Sequence, residues 1–395
     1  MNDLNVLLVI YASLFISSPL IAIFHEIGHA LAYLIYTRPE RIDIYIGTYT
    51  EPKNPVQFRV GKLHFYVKRS FPFIKGIGLC KSYKAETNYL RYVVILLAGS
   101  LFTFIVAAVL SLVVFGSDAG MLVKISCYIF LGLSTLSLIS NLVPREIAKD
   151  DINLDNDGQQ LLFTLEIKNA RPDYVDACRY WNEKDYASAA VKFKDVLVEV
   201  PNNRKVLNLL IIASLSAGRY EDAALYLGKL EKKYELLPNE MVQKGWLQSL
   251  SGNHDEAIET YSKLLKKDRH NVVALNNLAE ELIEKGAHKV AGQILEKAIR
   301  LKPMFDHPYA TLAYSKLLQD DLEAGKRLLK QCLDINPQNA YAYKSLGIYY
   351  LKINDKEKAT VNFNKALEWD SHIDLSPFSE GLELKTLTSQ GTNYT

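Results

Sequence analysis

The sequence lacks paired cysteines and any marked excess of charge of one sign. Lys and Arg number 46 against 44 Asp and Glu, which gives a net charge of +2. Nothing in this balance indicates a nucleic-acid partner, and we expect none. The cysteines have no redox or metal spacing, so the chain fits a reducing compartment. They are Cys80, Cys127, Cys178 and Cys332.

Charged side chains are also missing from three long stretches near the start of the chain. Residues 6–24, 92–115 and 125–143 contain no Asp, Glu, Lys or Arg. Each stretch is long enough to cross a hydrocarbon layer of about 30 Å as a helix. The first stretch has no basic start and is too long for a signal-peptide core. We therefore predict three membrane-spanning helices, over about residues 5–36, 92–115 and 122–143.

The loop between the first two predicted spans determines the expected orientation. Residues 38–91 hold eleven Lys and Arg against four Asp and Glu, whereas no Lys or Arg precedes the first span. Basic loops stay on the cytoplasmic side of a membrane. The sequence thus predicts a multi-pass protein of the cell membrane, with its N-terminus outside and everything after the third span in the cytoplasm.

Part of this basic loop has the pattern of strands. Residues 41–46 and 62–67 alternate polar and apolar side chains, and prolines and a glycine lie between them. An alternation of period two is typical of half-buried strands. We predict a small β-hairpin inserted between the first two helices.

The first predicted span contains His25-Glu26-Ile27-Gly28-His29. Two histidines four residues apart lie on one face of a helix, one turn apart, where both imidazoles reach one metal ion. Glu26 is placed to take a proton from a metal-bound water and is the candidate catalytic residue. Ionisable groups are costly inside a bilayer, so their presence there indicates a function.

A second motif follows the third predicted span. The chain reads Asn141-Leu142-Val143-Pro144 and then Asp157-Gly158. Together with the histidine motif, this resembles the site-2 protease family, peptidase M50, over residues 5 to about 165. The resemblance implies Zn²⁺ held by His25, His29 and Asp157, with Asp155 as the competing third ligand. It also implies membrane-anchored protein substrates.

The resemblance has one departure. The family's middle helix commonly carries Gly-Pro-x-x-Asn, where this chain has Gly99-Ser100-Leu101-Phe102-Thr103. The missing Pro and Asn remove no metal ligand. Small residues at Ala98, Gly99 and Ser100 still allow helices to approach closely near the metal.

Residues 172–375 repeat with a period of 34. Small residues recur at this spacing, a large apolar residue follows each one four positions later, and another mostly small set precedes it by twelve. This pattern resembles tetratricopeptide repeats, each a pair of helices, which stack into an α-solenoid with a concave groove for a protein or peptide partner. The first small set is Ala189, Ala223, Ala257, Ala291, Gly325 and Ala359.

The predicted protein is mainly α-helical. A three-helix transmembrane metalloprotease core with a β-hairpin insertion (residues 1–165) precedes about six tetratricopeptide repeats (172–375) and a polar tail (376–395). The leading functional prediction is an intramembrane zinc metalloendopeptidase acting on membrane-anchored proteins, whose cytoplasmic repeats recruit substrate or a regulator. The alternative is a non-proteolytic, membrane-anchored repeat scaffold on a decayed protease fold.

Overall fold

The computed structural model describes residues 3–48, 54–69, 77–149, 152–370, 372–378, 380–382 and 384. The chain divides into two compact units, Met1–Val206 and Leu207–Thr395. This division falls after the first predicted repeat. The predicted boundary near residue 165 lies instead just before residue 172, where the sequence repeat begins.

Three long helices form the first part of the first unit. They are α1 (Asp3–Tyr36), α2 (Tyr89–Phe115) and α3 (Met121–Leu142). All three are long and apolar enough to cross a membrane, and each contacts the other two. Many of their large apolar side chains are exposed, including Leu112, Val113 and Leu136. Such a surface is costly in water and suits a hydrocarbon environment.

Glycine brings α1 and α2 into backbone contact. A Cβ atom added to Gly28 would lie 2.5 Å from the carbonyl oxygen of Ala98 and 2.9 Å from the Cα atom of Gly99. No larger residue fits at this crossing. The close approach predicted for the small residues of the middle helix is therefore present.

The inserted β-structure differs from the predicted hairpin. It is a four-stranded sheet of β1 (Ile42–Ile46), β2 (Val56–Val60), β3 (Leu63–Val67) and β4 (Gly78–Ser82), in the order β2-β3-β1-β4. The two predicted strands, β1 and β3, pair in parallel. They cannot form a hairpin because β2 intervenes and makes the antiparallel turn with β3.

A short antiparallel pair connects α3 to the rest of the first unit. It comprises β5 (Glu146–Lys149) and β6 (Ile152–Asp155), and α4 (Asp157–Glu166) follows directly. The unit also contains α5 (Arg171–Asn182) and α6 (Tyr186–Glu199), the first helix pair of the repeat.

Five further helix pairs complete the repeat pattern. First and second helices alternate along the chain and are joined by turns of three to five residues, as is typical of antiparallel neighbours. The helices are α7 (Arg204–Ser216), α8 (Tyr220–Lys233), α9 (Pro238–Leu250), α10 (His254–Lys267), α11 (Val272–Glu284), α12 (His288–Leu301), α13 (His307–Leu318), α14 (Leu322–Ile335), α15 (Ala340–Lys352) and α16 (Lys356–Trp369).

The periodic positions form the core of each pair, as predicted. The small residues of the first set are all buried, and so are the large residues four positions later. Gly245 shows why small residues are needed, because a Cβ atom there would lie 2.5 Å from the ring of Tyr261. Gly347 faces Phe363 in the same way one hundred and two residues later.

One periodic position is absent from the sequence prediction. The residue in the turn between the two helices of each pair has a positive φ, from 60° to 75°. Glycine occupies this position in three of the turns. In the other three, an L-residue has a left-handed backbone conformation, which is strained. The six positions, each 34 apart, are Lys184, Gly218, Gly252, Gly286, Asp320 and Asn354.

The segment after α16 is more ordered than a loose polar tail. Ile373 and Leu375 are buried in the core cluster of the last helix pairs, and Leu382 packs against it. The ring of Phe378 stacks on Phe363 with a centroid distance of 6.0 Å. These residues cover the apolar end of the solenoid, as a terminal cap must. Residues 379, 383 and 385–395 of the predicted tail lie outside the described residues.

Candidate metal centre

The two histidines of α1 meet one carboxylate from α4. The Nε2 atoms of His25 and His29 are 3.1 Å apart. The Oδ2 atom of Asp157 lies 3.1 Å from the first and 3.5 Å from the second. Within the described residues, these three side chains form the one group of His, Cys, Asp or Glu that could hold a metal ion.

The spacing of these atoms suits a small tetrahedral ion. Ligand distances of about 2.0–2.1 Å place neighbouring tetrahedral ligands roughly 3.3 Å apart. The three observed separations are close to that value. In addition, Asp157 Oδ2 is buried, and the polar atoms that face it are the two imidazole nitrogens. A buried carboxylate oxygen is costly unless a cation faces it. The residues present therefore fit Zn²⁺.

Neighbouring groups orient the imidazole of His29. Its Nδ1 atom is 2.7 Å from the carbonyl oxygen of Ile95 on α2, a backbone contact that orients the ring so that Nε2 faces Asp157. Gly99 makes this possible, because a Cβ atom there would lie 2.5 Å from Nε2. For His25, the hydroxyl of Ser100 lies 3.4 Å from Nδ1.

Asn156 fixes the carboxylate by holding the start of α4. Its Oδ1 atom caps the helix by accepting from the amide of Gln159 at 2.9 Å, and it also accepts from the amide of Arg145 at 3.0 Å. Its Nδ2 group donates to the carbonyl oxygen of Val143 at 2.8 Å. Asn156 is not among the predicted site residues, although an Asn directly before a helix start is a recognisable signal.

The electrostatics of the site favour an ionised carboxylate. Burial raises the pKa of the Asp157 carboxyl, but the two imidazoles beside it outweigh burial and hold the pKa well below its ordinary value. Asp155, the competing candidate, lines the same cavity but has a different partner, because its Oδ2 atom is 2.5 Å from Nζ of Lys205. The geometry thus joins Asp157, and not Asp155, to the histidines.

Glu26 and Asn141 line the same cavity as the candidate ligands. Glu26 is 6% exposed, and Gly78 of β4 packs directly on its side chain. Asn141 donates to Ser137 at 3.3 Å and to Ser100 of α2 at 3.5 Å. It therefore links α2 and α3.

The repeat geometry defines the class of the second unit as a tetratricopeptide repeat array. Two family models described as "Tetratricopeptide repeat" match residues 244–303 and 340–372. The chain therefore contains tetratricopeptide repeats, as predicted. These matches cover less than half of the chain.

Curated relatives also match through repeats. The Caenorhabditis elegans "BBSome complex member bbs-4" is 22% identical over 47% of this chain and 40% of its own length. The Drosophila melanogaster "BBSome complex member BBS4 homolog" is 22% identical over 55% of this chain and 46% of its own. "Superkiller protein 3" of Schizosaccharomyces pombe is 26% identical over 47% and 12%. The chain spans less than half the length of these relatives.

Two solved structures align with part of this chain. The pilus biogenesis factor PilW aligns with a TM-score of 0.42 at 16% identity, covering 54% of this chain and 96% of PilW. A tetratricopeptide repeat protein from Parabacteroides merdae aligns with a TM-score of 0.45 at 15% identity, covering 68% and 93%.

These comparisons contradict the predicted intramembrane metalloendopeptidase. The matched proteins carry repeat or complex-member names, and no site-2 protease match is among them. The predictions of a hydrolase and of peptidase M50 membership are not supported, and the alternative scaffold reading is favoured. The catalytic role of Glu26 depended on the enzyme prediction and is not carried forward. The metal ligands do not depend on it.

Proposed function

We propose that this chain is a membrane-anchored tetratricopeptide repeat scaffold. Its three apolar helices would fix it in the bilayer, and the repeat array would bind a protein or peptide partner. The observation that carries the proposal is the regular series of helix pairs in the second unit, because stacked helix pairs form an extended concave surface.

The first helices of the pairs supply that surface. The helices α9, α11, α13 and α15 contact one another in sequence order. Helices that touch across successive pairs lie on the inner side of a curved solenoid. The partner surface is therefore the face of these first helices.

Polar side chains on this inner layer support recognition of a peptide. The hydroxyl of Thr311 on α13 lies 3.0 Å from Asn276 Oδ1 and 3.0 Å from Glu280 Oε1, both on α11. Asn276 Nδ2 also donates to Glu280 at 2.8 Å. Asn276 and Thr311 are buried and bond within this cluster, so they hold α11 against α13 and fix the shape of the face that a partner would meet.

A matched pair of substitutions tests the scaffold role. Val273 lies on the inner helix α11 and is 40% exposed, whereas Val290 lies on the second helix α12 and is 50% exposed. A partner isolated with the full chain from membranes should be lost with Val273→Glu and kept with Val290→Glu. If both variants retain the partner equally, the inner face is not the partner surface.

We further propose that the anchor holds Zn²⁺ on His25, His29 and Asp157. The ion would supply positive charge opposite the Asp157 carboxylate and would join α1 to the start of α4. Support comes from the three ligand separations and from the buried oxygen of Asp157. Three protein ligands leave a fourth position for water or for a group that enters the cavity.

Metal content of the purified chain tests this site. We expect about one zinc per chain in the wild type and loss of zinc in Asp157→Ala. Asp155→Ala should retain it, because Asp155 pairs with Lys205. Loss of zinc only in the Asp155 variant would overturn the assignment.

The proposed orientation keeps the N-terminus outside and the repeats in the cytoplasm. Its support is the basic loop between α1 and α2. Protease added to intact cells should leave the repeats uncut, whereas protease added to inverted vesicles should digest them. The reverse result would reject this topology.

A further inference from the structure

Arg171 is a buried cation without an acidic partner in the part of the chain that the structure describes. It begins α5 and is 5% exposed. Its Nε group donates to the carbonyl oxygen of Glu86 at 3.1 Å, and its guanidinium carbon lies 3.5 Å from the centre of the Tyr92 ring. Among the described residues, no carboxylate lies within ion-pair distance of Arg171.

Three carboxylates of this region have other partners. Glu86 accepts from the amide of Asn88 at 2.9 Å, Asp155 pairs with Lys205, and Asp157 faces the imidazoles. Taking a guanidinium out of water without a counter-charge costs free energy. Stacking on an aromatic ring returns part of that cost, but it neutralises no charge. Burial lowers the pKa of Arg171, yet an arginine stays protonated at neutral pH.

The guanidinium lines a cavity that suits an amphipathic ligand. The cavity measures about 440 Å³ and extends to the candidate metal ligands. Apolar residues of α1 and α2, among them Ile21 and Leu96, form part of its wall. Another part of the wall contains Arg171 together with Tyr92, Gln160 and Tyr174. The Tyr92 hydroxyl donates to Gln160 at 3.1 Å, so these groups are ordered beside the cation.

We propose that Arg171 binds a phosphate group in this cavity. A planar guanidinium presents forked donors that match phosphate oxygens in two parallel hydrogen bonds. A phosphate supplies the missing negative charge, and the apolar wall accommodates what the phosphate carries. Such a phosphate group could come from either of two sources, a phospholipid headgroup or dissolved inorganic phosphate. The inference uses only the first unit and goes beyond the scaffold proposal.

The test compares two probes on the full chain after removal of lipid and chelation of metal, so that phosphate cannot bind a metal ion. The first probe is inorganic phosphate, added against chloride of equal ionic strength. The second is phosphatidylglycerol in nanodiscs of phosphatidylcholine, with retained lipid measured by mass spectrometry. Binding of phosphatidylglycerol alone identifies the headgroup as the source, and binding of inorganic phosphate alone identifies the free ion.

Three variants assign the binding to Arg171. Arg171→Met should weaken the affinity roughly thirtyfold or more, and Arg171→Lys should weaken it less because the point charge remains. Arg179→Met is the control, since Arg179 lies on the same helix, is half-exposed and pairs with Asp176. If Arg171→Met fails to fold, Arg171→Lys against Arg179→Lys decides. Wild type that binds neither probe, or variants of Arg171 that bind as wild type, would overturn the proposal.

Discussion

Gly99 of α2 and His29 of α1 are in direct contact, with no space for a side chain between them. A Cβ atom on Gly99 would lie 2.5 Å from Nε2 of His29, the nitrogen that faces Asp157. The contact therefore connects the packing of two apolar helices to the position of a candidate metal ligand. Gly28, one residue before His29, makes the reciprocal close approach to Ala98.

Adding one methyl group at Gly99 should abolish zinc binding. Gly99→Ala forces the His29 ring away from Asp157, because a Cβ atom 2.5 Å from Nε2 would overlap the ring. Gly132→Ala in α3 is the control, since a Cβ atom there meets nothing within 4 Å. Zinc content of the two purified variants is the measurement. A Gly99→Ala protein with a full complement of zinc would contradict the proposed ligand set.

Replacing Lys184 by glycine should stabilise the first helix pair. Lys184 has a φ of 61°, and a left-handed backbone costs an L-residue about 1–2 kcal/mol, part of which returns as extra entropy of the unfolded glycine. We expect a net gain of roughly 0.5–1 kcal/mol. Glu183→Gly, one residue earlier with a φ of −78°, should destabilise instead. Thermal unfolding of both variants checks this, and a lower midpoint for Lys184→Gly would refute it.

The repeat array should lose stability in acid through Asp306. Burial raises the pKa of this carboxyl, but the hydrogen bonds from Asn339 and Asn336, each 2.7 Å long, hold it below its ordinary value of 3.8. A lowered pKa contributes stability that is present above pH 3.8 and lost as pH falls through the folded pKa.

Asp306→Asn should therefore destabilise the array by about 1.5–3 kcal/mol at neutral pH and flatten its acid dependence. Asp334→Asn on α14 is the control, because Asp334 is exposed. Chemical denaturation at a series of pH values measures both. An unchanged acid profile in Asp306→Asn would show that this carboxylate does not carry the effect.

The contribution of Glu280 to stability should change with pH in the opposite direction to that of Asp306. Burial raises the pKa of Glu280 above its ordinary value of 4.5. A raised carboxyl pKa favours the protonated folded state, so its contribution is present below pH 4.5 and is lost as pH rises through the folded pKa.

Glu280→Gln should raise stability at neutral pH, because the amide keeps an oxygen for Thr311 and removes the buried charge. Glu296→Gln, in an exposed ion pair with Arg300, should have little effect. Denaturation midpoints at pH 5 and 8 provide the comparison. A Glu280→Gln protein less stable than wild type at the higher pH would contradict the assigned cause.

Local patterns predicted most of the helices and the repeat core. The charge-free stretches became α1, α2 and α3, and the residues at period 34 became buried contacts such as Gly245 on Tyr261. These features depend on spacing along one or two neighbouring helices, which the sequence displays directly.

Non-local features were not predictable in the same way. The parallel pairing of β1 with β3 depends on the intervening strand β2. Residues 56–60 of β2 alternate apolar and polar side chains, but this local alternation does not show which strand pairs with which. The choice between Asp157 and Asp155 depended on where α4 begins, which Asn156 determines by capping it. The functional prediction failed for another reason: it rested on motifs in the first unit, while the matched relatives are repeat proteins.

Site-specific photocrosslinking in living cells tests the scaffold account most directly. A photoreactive residue replaces Tyr341, on the inner helix α15 and 43% exposed, or Val361, on the second helix α16 and 51% exposed. The account predicts a discrete crosslinked protein from position 341 and none from position 361. No product from position 341, or the same product from both positions, would contradict a partner bound on the inner face of the repeats.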